Sequence, residues 1–141
     1  MKIHAAPTDI VAFVPDVGDN RERPPEERTV FHIRSMTDAE HADFQAAQIR
    51  ANAKTKKRDR WKIAEKAIAD MEQRILREHV VKIDNLSFED EDGARPITNG
   101  SELAEVIGRW PQAVARALVD SVSEAVLNYD AEDEGFLLAS S

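Results

Sequence analysis

The run FEDEDG, Phe88 to Gly93, poses the first chemical question, because oxygen-rich loops that turn on a glycine can cage calcium. With Gly93 as the sixth residue of such a loop, Asp90 and Asp92 take the third and fifth positions. The first position is then Phe88 and the twelfth Asn99, so the entry carboxylate and the bidentate glutamate are both missing. Asp92-Gly93 between β-like segments is instead a hairpin signal, and a solvated turn is expected. His4, His32, His41 and His79 show no ligand spacing, and His41 beside Glu40 lacks the second histidine of a zinc-protease pattern. The chain has no cysteine, which removes thiolate metal sites, disulfides and cysteine nucleophiles. Its five glycines are scattered singly, with no phosphate loop and no serine elbow. Carboxylates are plentiful, but nothing pairs two of them in an apolar pocket for acid–base work. The expectation is a protein that is not an enzyme and carries no cofactor and no metal.

Charge is the feature with most content. At 141 residues the chain has a one-domain length, 33% charged residues and a net charge of −8. Between Arg50 and Lys66 the bases Arg50, Lys54, Lys56, Lys57, Arg58, Arg60, Lys62 and Lys66 face only Asp59 and Glu65. From Asp84 onward thirteen acids face Arg95, Arg109 and Arg116. Such asymmetry marks either an interaction surface or a solvated helix pair whose charges balance internally. "KTKKRDRWK" is the candidate for nucleic acid, with Trp61 to stack on a base, but it lacks glycine and further aromatics. Together with the acidic balance, this argues against nucleic acid as the partner. The N-terminus is a poor signal peptide, because Asp9 and Pro15 interrupt its apolar stretch. No apolar run is long enough to span a bilayer. A cytoplasmic protein with no membrane partner is expected.

The elements that would position these groups form an α+β domain. Ile10 to Val14 suits a strand stopped by Pro15, and "DVGDNRERPPEER" a loop. "TVFHIR" alternates, with Phe31 and Ile33 facing the core, so an N-terminal hairpin is expected. "TDAE", Thr37 to Glu40, is a capping-box pattern opening a helix that carries Phe44, Ala47 and Ala51. A break is expected near Lys54 to Lys57. Trp61, Ala64, Ile68, Met71 and Ile75 then recur at alternating three and four, a seam that fits core packing first and a partner face second. Val80, Val81 and Ile83, with the acidic turn and "RPIT", suggest a second short hairpin. Two C-terminal helices follow, one capped by Ser101 over Glu102 to Gly108, the other carrying Val114, Leu118, Val122, Ala125, Val126 and Tyr129. Residues 1–129 are expected to be one α+β domain, and 130–141 a flexible acidic tail.

Two stretches carry a family resemblance. "FVPDVGDNRERPPEERTVFHIRSMTDAE" resembles the opening of small proteins encoded among the tail genes of long-tailed bacteriophages: a strand, a proline-and-acid loop, "TVF-x-I/L-x-x-L/M-T", then a helix. "VVKIDNLSFEDEDGARPITNGSELAEVIGRWPQAVARALVDSV" is similar to their closing segment, with its acidic glycine turn, "P-I" strand and two short helices. The resemblance covers both ends of the chain and points to the phage tail assembly chaperones and related tail accessory proteins. It implies a cytoplasmic protein of the bacterial host that binds the tape-measure protein while tail tube protein is recruited. On that reading the partner face would draw on Trp61, Ile68, Met71, Ile75, Leu118 and Val122, and a homo-oligomer is left open. Two alternatives stand beside it: a tail-completion or connector subunit kept in the particle, and a small nucleic-acid-binding regulator using residues 50–66.

Overall fold

The structure, a computed structural model, describes residues 9–53 and 60–139, the side chains of 47, 48, 50–53, 60–65, 67 and 68 excepted. The expected break near Lys54 to Lys57 and the side chains of Trp61 and Ile68 lie outside that description. The fold is a small α+β arrangement. Strand β1, Ile10–Phe13, pairs antiparallel with β2, Val30–Arg34, as the sequence suggests. Alternation in β2 buries Phe31 and Ile33 completely. The long connection is held by one side chain: Asn20 donates through Nδ2 to the carbonyls of Pro15 and Thr29 and accepts from the Thr29 amide at 2.8 Å. That accounting leaves a buried amide satisfied where a loop would otherwise strand it.

The second hairpin differs from expectation. β3, Val80–Asp84, joins β2 on the N-terminal sheet, in the order β1-β2-β3 with Phe31 opposite Ile83, and keeps one bond to the expected partner segment, from the Ile83 amide to the Thr98 carbonyl at 2.8 Å. The hairpin around the turn is built from β4, Ser87–Asp90, and β5, Gly93–Pro96, as a separate two-stranded sheet. Asn85 makes the division. It sits in the left-handed region at φ 58°, which asparagine tolerates better than most residues, and its Nδ2 donates to the carbonyls of Glu26 and Arg28. The chain therefore turns sharply between β3 and β4. Gly93, at φ 111°, closes the acidic turn in a conformation that favours glycine.

Helix α1, Asp38–Ala53, opens on the expected capping box. The Glu40 amide donates to Thr37 Oγ1 and the Thr37 amide donates back to Glu40 Oε1, both at 3.2 Å. Helix α2, Arg60–His79, runs alongside it, with the Arg74 guanidinium over the Phe44 ring at 4.5 Å. Helix α3, Gly100–Val106, is capped by Asn99 and not by Ser101: Asn99 Oδ1 accepts from the Glu102 amide at 2.9 Å. Position 100 must be glycine, because a Cβ there would collide with the Leu76 carbonyl and lie 2.7 Å from Val80 Cβ. A 3-10 turn, Ile107–Arg109, leads to α4, Gln112–Leu127, preceded by Pro111.

The C-terminal segment is a further correction. Residues Glu134–Ala139 form helix α5, and Phe136 is buried between Phe13 and Tyr129 at centroid separations of 4.9 Å. The Val14 amide donates to the Gly135 carbonyl, tying α5 to the end of β1. The expected loose tail rested on a dense acid run, but Asp133 and Glu134 lie 3.7 Å from the Arg21 guanidinium, a partner far away in sequence.

Candidate functional site

The apolar stripe named as a partner face has a different use. Ile75, Leu118 and Val122 lie in the hydrophobic core, and Met71 packs half-buried against it. The folded chain presents none of the first three at its surface. The periodicity is real, but the domain's own core consumes it, since a seam that faces a partner and one that faces the interior share the same spacing.

A second stripe, one step round each helix, is left open. Ala69, Glu72, Gln73 and Leu76 of α2 and Gln112, Ala115, Arg116 and Val119 of α4 wall a groove of about 320 Å³. Both sets recur at i, i+3, i+4 and i+7, the spacing of one helix face. The walls are thus two turns long, ~10 Å at ~1.5 Å per residue. The end of α3 and the following turn close one side with Ala104, Glu105, Ile107 and Gly108. Leu76, Ala104, Ile107 and Val119 are buried and form the floor, while Ala69, Glu105, Gln112 and Arg116 stand exposed at the rim. Small residues at Ala69, Ala104, Gly108 and Ala115 leave room for another backbone to approach. Local sequence explains the placement: α3 passes into the turn Ile107–Arg109, and Trp110 before Pro111 is held extended, so this end forms a corner between α2 and α4.

Electrostatics add a clasp. Arg116 reaches from α4 to α2 and donates through Nη2 to Glu72 Oε1 at 2.6 Å, while its Nε donates to Asp120 at 3.1 Å. The Glu72 hydrogen bond, reinforced by the charges of Glu72 and Asp120 against a desolvation that acts the other way, raises the Arg116 pKa further. Of the described residues that line the groove, Glu72 and Glu105 are acidic and Arg116 basic, and Asp120 pairs with Arg116 beside it, so this rim is net acidic. The sequence carries this arrangement in plain form, as A..EQ..L and Q..AR..V, but only the packing shows that the two faces meet.

Two other polar clusters are structural. Glu40 takes a two-pronged bond from Arg34, 2.8 Å from Nη1 and 3.0 Å from Nη2, and this bond is the main cause that lowers its carboxyl to about 2. His79, fully buried, donates through Nδ1 to the Arg34 carbonyl at 2.7 Å. Its Nε2 lies 3.3 Å from Glu40 Oε2 but out of hydrogen-bonding alignment. On the sheet, His32 Nε2 donates to Asp84 at 2.8 Å and, with Lys82 nearby, holds the Asp84 carboxyl below its usual value. These bonds lock α1 and β3 onto β2.

The acidic turn is a hairpin tip in which Asp90 Oδ1 accepts from the Asp92 amide at 2.9 Å and Arg95 lies 3.5 Å from Asp90. Among the described residues, no three His, Asp or Glu side chains are grouped to hold a metal ion. Among them also, no helix is long and apolar enough to cross a membrane. A larger hollow of about 850 Å³ opens beside Pro25, Lys82, Asn85 and Pro96, but Asn85 spends its donors on the chain's own carbonyls there. Comparison with protein-family models, curated proteins and solved structures finds no match to this chain.

Proposed function

We propose that this chain is a binding protein of the tail assembly chaperone kind, which holds helical segments of the phage tape-measure protein soluble in the host cytoplasm while tail tube protein is recruited. One observation carries the reading: a two-turn groove with an apolar floor and small-residue walls, open beside a complete core. A groove of this shape suits the helix-in-groove mode, in which an amphipathic helix lays its apolar face between two others. The resemblance of the two end segments to tail accessory proteins supplies the partner. By that resemblance the partner carries long, apolar-rich helices, the kind of segment a small groove would cover.

Co-expression tests this reading. The tape-measure protein of the same genome should become soluble with this chain and precipitate without it. Because affinity rests mainly on burial, capture should persist when salt is raised from about 0.1 to 0.5 M. Equal solubility without this chain, and no complex at either salt, would sink the proposal. A tail-completion or connector subunit would instead remain in purified particles.

A further inference from the structure

Resting on the helix-binding reading, the rim charges narrow the kind of helix that fits. We infer that the groove between α2, α3 and α4 selects a basic-flanked helix with a small-residue ridge, and that Arg116 holds the place of the incoming cation. Three observations converge. Ala69, Gly108 and Ala115 stand around the floor of Leu76, Ala104 and Val119, so the backbone of an incoming helix comes close when its own facing side chains are small. Among the described lining residues the rim carries Glu72 and Glu105 against Arg116, which Asp120 further neutralises from beside the groove, so an acidic flank is repelled and a basic one attracted. Finally, Arg116 is bound to two acids at once, Glu72 at 2.6 Å and Asp120 at 3.1 Å.

The second contact makes exchange cheap. A lysine or arginine on the incoming helix takes the Glu72 carboxylate, and Arg116 swings out while keeping Asp120, its i+4 neighbour on α4. Glu72 is therefore never left as a lone, mostly covered charge, which is the costly state of a broken pair. An acidic helix gains no such exchange: Glu72 stays on Arg116, and the incoming carboxylates meet Glu105. The clasp thus acts as a filter on charge, while the apolar floor supplies most of the affinity.

The test uses the full chain and two synthetic helices of about 15 residues with the same alanine–leucine ridge, one flanked by lysines and the other by glutamates. Calorimetry at ~0.05 M salt should show the lysine peptide binding at least about tenfold tighter, with the gap closing at ~0.5 M as screening shortens the reach of the rim charges. Arg116→Ala should bind the lysine peptide several-fold tighter, because Glu72 is then unoccupied. The pair Glu72→Gln and Glu105→Gln should erase the preference and keep binding to either peptide. Ala115→Phe should lose about tenfold for both, its fold checked by thermal melting, and Ala69→Phe, at an exposed position, repeats the block where the first variant unfolds. Equal binding of the two peptides by the native chain would overturn the inference and leave the chaperone reading standing if the tape-measure protein is still held soluble. Undiminished binding in both blocked variants would show that the groove is not the site. Self-association in sedimentation that Ala115→Phe abolishes would make a second copy the occupant, and overturn it equally.

Discussion

Truncating Glu40 to alanine removes, at one position, half of the α1 capping box and the carboxylate between Arg34 and His79. The bonds at stake are two from the Arg34 fork, at 2.8 and 3.0 Å, and one from the Thr37 amide at 3.2 Å. A lost cap costs about 1 kcal/mol and a charged hydrogen bond about 1.5–3, but exposed ion pairs are worth less than 1. The Glu40 side chain is 29% exposed and His79 not at all. A carboxyl held at about 2 against an ordinary 4.5 would convert to about 3 kcal/mol, and solvent at the exposed edge screens part of that. The expected loss for Glu40→Ala is therefore about 2 kcal/mol, or ~7 °C in melting temperature for a chain of this size. Glu40→Gln keeps an acceptor for the cap and should lose about half as much. The sign with pH follows from the direction. A carboxyl depressed on folding stabilises fully above its unfolded value of 4.5, and the benefit is lost as pH falls toward about 2. The gap between native chain and Glu40→Gln in urea unfolding should thus be constant from about pH 7 to 5 and close toward pH 2. A loss under ~0.5 kcal/mol in Glu40→Ala, or a gap that does not move with pH, would refute the assignment of this cluster as the anchor of α1.

Three further substitutions probe the fold. Gly100→Ala should destabilise by about 2–3 kcal/mol in denaturant unfolding, since the added methyl meets the Leu76 carbonyl, whereas Gly108→Ala, with nothing within 4 Å, should be neutral. Asn85→Ala should cost about 2 kcal/mol through two lost hydrogen bonds and a left-handed backbone, and Asn85→Gly about half of that, because it restores the backbone alone. Phe136→Ala should cost about 3 kcal/mol and expose the segment after Tyr129 to proteolysis; no effect on melting would return that segment to the loose tail the acid run suggests.

Local signals in the sequence were sound where the chain answers to itself. The capping box at Thr37 and Glu40, the alternation of Phe31 and Ile33, the glycine of the acidic turn and the seam through Met71 and Ile75 all appear where the spacing puts them. What failed depends on partners distant in sequence. Val80 to Ile83 could form a ladder with the segment after it or with β2, and both readings satisfy the same β-branched pattern; the ladder is with β2, while the Ile83 amide alone bonds to Thr98. The choice was made by Asn85, whose bonds reach back across more than fifty residues to Glu26 and Arg28. Ser101 and Asn99 are both good caps, and the tie was broken by Gly100, which had to sit inside α3 so that the helix could approach Leu76. Acids 133 and 134 look like a solvated run until Arg21 is placed beside them.

The same distinction governs where a partner can bind. An apolar stripe is the signal most easily found in a sequence, yet in a chain of this length the strongest stripes are needed for the core. Ile75, Leu118 and Val122 are the evidence, each 3% exposed or less. The proposed binding face is drawn from what the core leaves over, and its residues are mixed: small, beside charge, and harder to see in a sequence than an apolar stripe. Ala69, Glu72, Ala115 and Arg116 have that character. Alanine at such positions looks merely permissive in a single helix, but two alanine-lined faces joined by a corner leave a groove between α2 and α4. The helical stripe of Ile75, Leu118 and Val122 thus marks the core of this chain, and smallness beside charge marks the groove proposed as its binding face.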